Sequence, residues 1–378
     1  MAESRELREL PTPALLVDRR RLARNLEGMA RRAREAGIAL RPHLKTAKCA
    51  TIASLATEGF DGRITVSTPM EAAYFADHGH RDITYAVVVT PDKVARLGAI
   101  QRKTGARATL LTDDPALIPE LDRAAGQAES KFRVLVEIDS GEHRTGLPSD
   151  APDLIEAGRR LARASNLQLE GVLTHGGHAY ACSSVDEIVQ VAEQERLAVV
   201  QAAQRLSAAG FPCRTVSAGS TPTAVHARSF ERLTEIRPGV YMFYDLAQLG
   251  LGVCTAEDMA LSVLASVIGH QERHGRLIVD AGGLALSKDT SANRLLPGAG
   301  YGWVADLETQ ARIADLRVAV ADQEHGYVEG GIPYAELPVG SRVRIFPNHA
   351  CMTAAAHENY WVVDGNEVVE RWSRIGGW

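Results

Sequence analysis

The chain has 378 residues, a formal net charge of −5 and 45% hydrophobic residues, which are the values of an ordinary globular protein. This composition excludes a disordered or fibrous chain, and a slightly acidic balance without basic blocks argues against a nucleic-acid partner. No apolar run approaches the roughly 18 residues of a membrane span, and the charged N-terminus has no apolar signal segment. We therefore expect a cytoplasmic protein without a membrane partner, whose five scattered cysteines are reduced thiols.

The first two thirds of the chain alternate short apolar runs with segments of helical period. A helix is predicted from Arg19 to Gly37, and the longest helical segment runs from about Val185 to Ala209. Eight strands are predicted, near residues 38–42, 64–66, 83–88, 108–111, 132–138, 167–173, 214–217 and 233–236. This order predicts the α/β class, with a parallel sheet closed into a (β/α)8 barrel.

Past about residue 260 the pattern changes to strands without intervening helices. They are predicted near residues 261–268, 276–279, 316–320, 342–346 and 360–363. Asp364-Gly365 is a hairpin turn signal that leads to a further strand at 367–369. The expected domains are therefore a barrel in residues 1–260 and an antiparallel β domain in residues 261–378, which the first 17 or so residues are candidates to join.

A lysine follows the first barrel strand, where polar residues face the active site of such barrels. It is Lys45, in the sequence Arg41-Pro42-His43-Leu44-Lys45-Thr46. A lysine in a partly desolvated pocket loses its proton readily and can form a Schiff base with an aldehyde. The structural alternative is a solvated lysine at the start of a helix. Lys48 is the competing lysine, and a helix surface is its expected position.

Two other strand ends carry residues of the kind that bind phosphate. Ser217-Ala218-Gly219-Ser220-Thr221-Pro222-Thr223 follows the seventh strand, and Arg237-Pro238-Gly239-Val240-Tyr241 follows the eighth. Small residues expose backbone N–H groups, and a helix that starts at Pro222 would favour an anion. Barrels usually bind phosphate between their last two strands. Either glycine stretch alone is also typical of an ordinary loop.

The ends of the fifth and sixth strands carry further candidates. Arg144 follows the fifth strand, and a guanidinium beside a pyridine nitrogen would keep that nitrogen unprotonated. The structural alternative for Arg144 is a salt bridge to Glu142 or Asp139. The loop after the sixth strand offers two imidazoles and a phenol, namely His175, His178 and Tyr180. A single histidine would usually be structural, whereas two around a Gly-Gly pair at a strand end also suit a catalytic site.

The sequence Pro347-Asn348-His349-Ala350-Cys351 follows a predicted strand near the C-terminus. The side chains of His349 and Cys351 can point to the same side if the chain stays extended. An imidazole and a thiolate suit Zn²⁺, and two protein ligands leave positions for water or substrate, as a catalytic metal requires. The structural alternative is a buried cysteine beside a capping histidine.

As an ordered set, these motifs resemble the metal-dependent D-serine dehydratase and D-threonine aldolase group of pyridoxal-phosphate enzymes, which have the alanine-racemase-like fold. The resemblance covers nearly the whole chain. Its motifs are Leu10-Pro11-Thr12-Pro13-Ala14, Arg41 to Thr46, Ser217 to Thr223, Arg237 to Tyr241, Val279-Asp280-Ala281-Gly282, Gln323-Glu324-His325-Gly326 and Pro347 to Cys351.

The resemblance implies roles for these residues. Lys45 would hold pyridoxal 5′-phosphate as a Schiff base and act as the catalytic base. His349 and Cys351 would bind a divalent metal, with Zn²⁺ favoured and Mn²⁺, Co²⁺ or Mg²⁺ open. The phosphate would be held by Gly219, Ser220, Thr221, Gly239 and Tyr241, with Tyr180 beside the cofactor. Either Arg144 or Arg237 would face the ring nitrogen.

The resemblance also implies a reaction. Aldolases of the group tend to pair the metal-binding histidine with aspartate, so Cys351 indicates the dehydratase branch, similar to D-serine and D-threo-3-hydroxyaspartate dehydratases. A D-3-hydroxy amino acid would give a 2-oxo acid and ammonia, with the metal stabilising the departing β-oxygen. The main alternative is cleavage to glycine and an aldehyde, with His175 or His178 as base.

Two further alternatives fit the sequence less well, and the resemblance also bears on assembly. A racemase would need a second acid–base group, a role that Tyr301 fits poorly, and has no use for His349 and Cys351. A non-catalytic cofactor carrier would lack the β domain. A homodimer is implied, with the β domain of one chain near the barrel mouth of the other.

Overall fold

The computed structural model of the protein describes residues 5–378 and divides the chain into two compact units. The barrel unit is Met29–Gly239 with Gly377–Trp378, and the β unit is residues 5–28 with Val240–Gly376. The sequence analysis set the boundary at residue 260, whereas residues 240–260 belong to the β unit. The reason is that the last strand of the barrel sheet ends at Ile236, and the chain then forms only short helical segments before it enters the β sheet.

The strands, in chain order, are β1 Arg5–Glu6, β2 Ala14–Asp18, β3 Ala39–Leu40, β4 Ile64–Val66, β5 Asp82–Val88, β6 Arg107–Thr112, β7 Phe132–Asp139, β8 Leu147–Pro148, β9 Leu167–Thr174, β10 Thr215–Ala218, β11 Glu235–Ile236, β12 Leu261–Gln271, β13 Arg276–Val279, β14 Gly302–Asp306, β15 Arg312–Ala321, β16 Gly326–Glu329, β17 Arg342–Pro347, β18 Asn359–Asp364 and β19 Glu367–Ser373. The α-helices are α1 Arg19–Glu35, α2 Ala50–Ala56, α3 Pro69–Asp77, α4 Pro91–Thr104, α5 Ile118–Gln127, α6 Pro152–Arg163, α7 Val185–Ala208, α8 Thr221–His226, α9 Leu246–Gly250, α10 Gly283–Leu286 and α11 Ala350–Ala355. No helix in the described part of the chain is both long enough and apolar enough to cross a membrane.

The barrel unit is built on a parallel sheet in the order β3-β11-β10-β9-β7-β6-β5-β4, with β8 paired to β7 outside this path. The two ends of the sheet meet at a parallel bridge between His43 and Thr65, where the Leu44 N–H donates to the Thr65 carbonyl at 2.9 Å. All eight predicted barrel strands are present, and the predicted barrel is confirmed. Their C-terminal ends therefore come together at one rim.

Helix α7 illustrates how the sequence specifies the helices around this sheet. The Ser184 side chain caps it by accepting the Glu187 N–H, which satisfies one of the helix's unpaired amide groups. Its buried side chains include Val191, Glu195 and Val199, spaced four residues apart along one face. A glutamate thus occupies a position that the helical period assigns to an apolar residue.

The β unit contains a ten-stranded sheet in the order β1-β19-β18-β2-β12-β13-β16-β15-β14-β17, and an additional β12–β17 pairing closes it. The N-terminal strand β2 lies in this sheet, between β18 and β12, as the sequence allowed. The predicted hairpin is present, and Gly365 takes a φ of 65° in its turn. The five cysteines are thiols that are not joined in disulfides.

Some elements of the β unit were not predicted. Strands β14 and β16 are short and each begins at a glycine, which weakens the alternating pattern that marks a strand. The expectation of strands without helices was wrong, because the short helices α10 and α11 follow β13 and β17. Helix α11 directly follows His349, so it alters how the expected metal ligands are presented.

Candidate active site

Lys45 lies in the turn beyond the end of β3, at the rim where the barrel strands end. Leu44 takes the fully buried position of this turn, and Lys45, the next residue, is exposed. Lys45 was expected to be partly desolvated, and its exposed side chain corrects that expectation. An exposed primary amine at a strand end is accessible to an aldehyde, which a Schiff base requires.

Lys48, the competing lysine, forms an ion pair with a buried carboxylate. Its ammonium lies 3.2 Å from Oε1 of Glu71, a carboxylate that is only 1% exposed. The second oxygen of Glu71 accepts the Ser67 N–H at 2.8 Å. Removing Lys48 from this pair would leave a buried carboxylate without its counter-charge, which is strongly unfavourable. Lys48 therefore has a structural role, and Lys45 is the available amine.

Two half-buried imidazoles interact electrostatically with Lys45. Burial and then the charge of Lys45 lower the pKa of His43 well below its usual value, with Arg237 and His175 adding to the effect. Burial and then Lys45 likewise lower the pKa of His175, followed by Arg144 and Arg237. Both imidazoles are therefore neutral at physiological pH and can accept a proton or a hydrogen bond.

Arg237 is buried inside the barrel and is held by two other strands. Its guanidinium donates to Oγ of Ser217 at 2.7 Å and to the carbonyl of Thr174. The Ser217 hydroxyl in turn donates to Glu235 at 2.7 Å, and Glu235 also accepts from Nε of Arg41 at 2.9 Å. The two terminal nitrogens of Arg237 are thus engaged by the protein itself.

Arg144 has a different environment. Its side chain is 55% exposed, and its Nη1 lies 3.4 Å from Oε1 of Glu142. This is the salt bridge that the sequence analysis gave as the structural alternative. An exposed pair of this kind contributes little stability, so Arg144 can exchange Glu142 for a ligand at small cost.

The loop after β9 forms a short 3₁₀ helix, Gly177–Ala181, which contains His178 and Tyr180. The two ring nitrogens of His178 are buried and have no hydrogen-bond partner among the described residues. Tyr180 is 39% exposed. Thus His175 interacts electrostatically with Lys45, whereas His178 and Tyr180 lie further along the same loop.

The loop after β10 contains the predicted phosphate-binding residues. Gly219 has a φ of 102°, which favours glycine, and its N–H donates to Oε1 of Glu195 at 3.0 Å. Ser220 caps α8 in a capping box with Thr223, whose hydroxyl accepts the Ser220 N–H at 2.8 Å. The amides of residues 219 and 220 are therefore used within the protein, and hydroxyl groups of this loop are the better candidates for contact with an anion.

Gly239 and Tyr241 follow β11 but fall in different units. A Cβ atom at Gly239 would lie 2.9 Å from the carbonyl oxygen of His43, so only glycine fits beside the turn that presents Lys45. Tyr241 belongs to the β unit and is fully buried, and burial raises the pKa of its phenol. Gly239 is therefore the member of this motif that lies against the lysine turn.

The expected metal ligands converge within the β unit. His349 keeps an extended backbone and precedes the first residue of α11, while Cys351 lies in the first turn of that helix. The chain does not stay extended, contrary to the sequence-based argument, yet the two side chains are joined by a hydrogen bond. Convergence arises because the backbone changes direction at the helix start and turns the thiol toward the imidazole.

Asp289 holds the other side of the His349 ring, with Oδ2 3.0 Å from Nδ1. Burial opposes a charge on His349, but the hydrogen bonds to Asp289 and Cys351 outweigh it and raise its pKa to about 11. A carboxylate on Nδ1 fixes the tautomer and leaves Nε2 for a metal, as in many metal sites. The fully buried Asp245 accepts the Ala350 N–H at 2.9 Å and so fixes the backbone between the two ligands.

The donor set fits a catalytic metal ion of borderline softness. An imidazole nitrogen and a thiolate are ligands that Zn²⁺ prefers, and a carboxylate supports the imidazole from behind. The described residues contain no group of three or more histidine, cysteine or acidic side chains arranged to hold a metal. Two protein donors would leave coordination positions for water or substrate on a four-coordinate ion.

Sequence reasoning missed two polar residues of these sites. Glu195 carried a detectable signal, because it interrupts the apolar face of α7 at the helical period. Asp289 carried none, since it lies in a segment between α10 and a 3₁₀ turn and meets His349 only through the tertiary fold.

Known proteins match the chain from end to end. The family model of the alanine racemase N-terminal domain matches residues 17–247, and that of the serine dehydratase domain matches residues 260–363. D-threo-3-hydroxyaspartate dehydratase of Delftia sp. (strain HT23) is 40% identical over 375 residues, which cover 98% of each chain. Its solved structure has a TM-score of 0.95 and covers 99% of this chain and 100% of its own.

Two further relatives are a D-serine dehydratase and a D-threonine aldolase. D-serine dehydratase of Dictyostelium discoideum is 29% identical, with 99% of this chain and 98% of the relative covered. D-threonine aldolase of Arthrobacter sp. is 30% identical, with 97% and 92% covered. A cysteine-to-alanine variant of a D-threo-3-hydroxyaspartate dehydratase, solved in the metal-free form, has a TM-score of 0.95 at 39% identity. Because both domain models and full-length relatives match it, the chain belongs to the D-serine dehydratase family with the alanine-racemase-like fold.

Proposed function

We propose that this protein is a lyase that uses pyridoxal phosphate and a divalent metal to eliminate water from a D-3-hydroxy amino acid. The substrate is D-threo-3-hydroxyaspartate or D-serine. The enamine that is released hydrolyses to a 2-oxo acid and ammonia. The observation that carries the proposal is the pairing of His349 with the thiol of Cys351, in a chain 40% identical to a D-threo-3-hydroxyaspartate dehydratase.

The barrel unit supplies the groups that fit pyridoxal phosphate. When bound, this cofactor supplies an electron sink for the pair left on the α-carbon after loss of its proton. Lys45 would hold the cofactor aldehyde, because it is the exposed amine beside two neutral imidazoles. Its phosphate would be contacted by Ser220, Thr221, Gly239 and Tyr241, and Tyr180 would lie at the ring. Gly219, whose amide is bonded to Glu195, would shape the loop beside the phosphate.

Lys45 would then serve as the base at the α-carbon. Its amine is free once the substrate amine has replaced it, and it must be uncharged to accept a proton. His43 and His175 are neutral and add no positive charge that would repel the protonated amine.

Arg144 is the better of the two candidates to face the ring nitrogen. Both terminal nitrogens of Arg237 are engaged by Ser217 and Thr174 within the barrel. Arg144 forms an exposed salt bridge with Glu142, which a bound ligand could replace. A guanidinium at that nitrogen keeps it unprotonated, which weakens the electron sink and favours prompt elimination over racemisation.

His349 and Cys351 would hold the divalent metal, for which the two donors favour Zn²⁺. Such an ion supplies Lewis acidity to the β-oxygen, since hydroxide is otherwise a poor leaving group. Asp289 fixes the imidazole that carries the ion, and Asp245 fixes the peptide between the ligands. Mn²⁺, Co²⁺ and Mg²⁺ would be alternatives in the same site.

The second candidate function is cleavage of a D-3-hydroxy amino acid to glycine and an aldehyde. It is favoured by His175, which is neutral, close to Lys45 and so able to take the proton of the β-hydroxyl. A panel of D-serine, D-threonine and both D-3-hydroxyaspartate diastereomers, given to the cofactor- and metal-loaded enzyme, separates the two functions. Ammonia and a 2-oxo acid support the dehydratase, whereas glycine and an aldehyde overturn it in favour of the aldolase.

The homodimer and the cytoplasmic location expected from the sequence stay predictions. Sedimentation of the loaded enzyme at several concentrations tests the first, and fractionation of cells that express it tests the second.

A further inference from the structure

Glu195 is a carboxylate buried where the barrel loops meet α7. Glu195 is only 2% exposed. It lies on a face of α7 whose other buried residues are apolar. Burying a carboxylate is unfavourable unless several donors compensate it. The burial of this carboxylate must therefore be compensated by the groups that donate hydrogen bonds to it.

Glu195 joins two loops that leave neighbouring strands. Its Oε1 accepts the Gly176 N–H at 2.7 Å, from the loop after β9, and the Gly219 N–H at 3.0 Å, from the loop after β10. The hydroxyl of Thr223, in the first turn of α8, also hydrogen-bonds to this side chain. One carboxylate thus ties together two strand-end loops and the start of a helix.

The loops are shaped around this carboxylate. A Cβ atom at Gly176 would lie 3.0 Å from the carboxyl carbon of Glu195, so a larger residue would displace it. Gly219 needs its φ of 102° to direct its N–H toward the helix, and a Cβ there would lie 3.3 Å from Ile236. Both glycines therefore serve contact with Glu195, and the Gly219 amide is not a phosphate donor.

We propose that Glu195 is a positioning residue for the phosphate of the cofactor. Glu195 holds the Gly176 and Gly219 loops together from the side of α7. It thereby fixes Ser220 and Thr221 at the barrel rim, where their polar groups would bind the phosphate. Glu195 does not touch the phosphate, because a carboxylate in contact with it would repel it. This inference rests on the proposed function, and it adds a residue from α7 to a site otherwise made of strand ends.

Comparing pyridoxal phosphate with pyridoxal tests the inference, because only the first carries the phosphate. The cofactor is removed from the full-length protein, and the dissociation constant of each aldehyde is measured from the visible absorbance of the Schiff base. Wild type should bind pyridoxal phosphate much more tightly than pyridoxal. Glu195→Ala should reduce this preference at least about tenfold and change the pyridoxal dissociation constant less than about threefold, the expected size of one lost charge-assisted bond.

Three further variants complete the test. Glu195→Gln retains an acceptor oxygen for both amides and should restore most of the preference. Glu195→Asp withdraws the carboxylate by one methylene and should lower the preference, so it carries the test if the alanine variant does not fold. Glu193→Ala, on the exposed side of the same helix, is the matched control and should behave as wild type.

An unchanged preference in the alanine or aspartate variant overturns the inference, as does an equal loss of affinity for both aldehydes, which would indicate a general packing defect. Failure of the proposed function is a different result. In that case wild type itself would form no Schiff base with pyridoxal phosphate.

Discussion

The ammonium of Lys48 lies 3.2 Å from the buried carboxylate of Glu71, whereas Lys45, three residues earlier, is exposed at the barrel rim. The two lysines lie on one turn, and they have different roles because their surroundings differ. One neutralises a buried acid and holds the turn against α3, which contains Glu71. The other is an exposed amine that is accessible to an aldehyde.

Replacing each lysine should separate these tasks. Lys45→Ala should abolish the visible absorbance of the bound cofactor and all turnover, with little effect on stability, since its side chain is exposed. Lys48→Ala should keep the absorbance but lower the free energy of unfolding by on the order of 3 kcal/mol, because Glu71 loses its counter-charge. Absorbance spectra and urea unfolding check both results. Absorbance retained in the Lys45 variant would contradict the assignment.

Asp289 should control metal affinity through the His349 ring. Asp289→Ala frees the Nδ1 side of that ring, so the affinity for Zn²⁺ should fall about 10- to 100-fold, as is usual for such supporting carboxylates. Titration of the metal-stripped protein against a chelating dye measures this directly. The visible absorbance of the cofactor should not change. Glu324→Gln, an exposed acid of the same unit, is the control, and equal affinities in the two variants would contradict the role of Asp289.

The two arginines should respond in opposite ways. Arg144→Met should shift the absorbance of the bound cofactor and lower turnover, while stability changes by less than about 1 kcal/mol because an exposed pair is lost. Arg237→Met should lower the free energy of unfolding by on the order of 3 kcal/mol, because a buried charge network loses one member. An unshifted cofactor spectrum in the Arg144 variant would assign the ring nitrogen to Arg237.

Stability should fall in acid partly because of His43. Burial and the charge of Lys45 lower its folded pKa, so above the unfolded pKa of about 6.5 the ring is neutral in both states and has no effect. As the pH falls below that value, His43 becomes protonated in the unfolded chain but stays neutral in the folded protein. Each such proton removes up to about 1.4 kcal/mol per pH unit. The loss between pH 7.5 and 5.5, measured by urea unfolding, should be smaller in His43→Gln; an equal loss would contradict this account.

The barrel could be predicted because its pattern is local. Each strand is a short, largely buried run such as β7, Phe132–Asp139, and segments of helical period with their own start and stop residues lie between the strands. The strand ends then place Lys45, Gly219 and Arg237 on one rim by topology alone. No knowledge of side-chain contacts was needed for that step.

Contacts between distant segments could not be predicted. Asp289 and His349 are far apart in the sequence, and no period or motif links them. The commitment of Lys48 to Glu71 and the burial of Arg237 also depend on which helix or strand packs beside them. The convergence of His349 and Cys351 was predicted with an incorrect reason, because α11 replaces the extended chain that the spacing suggested.

We propose that Lys45 acts at the α-carbon of the substrate, and that a divalent cation held by His349 and Cys351 would act at its β-oxygen. The most direct test follows α-proton exchange of D-serine or D-threo-3-hydroxyaspartate in deuterium oxide together with ammonia release, before and after the metal is stripped. We predict that the stripped, cofactor-loaded enzyme still exchanges the α-proton but releases no ammonia, and that added Zn²⁺ restores release. Ammonia formed by the stripped enzyme at the rate of the metal-loaded enzyme would contradict the account.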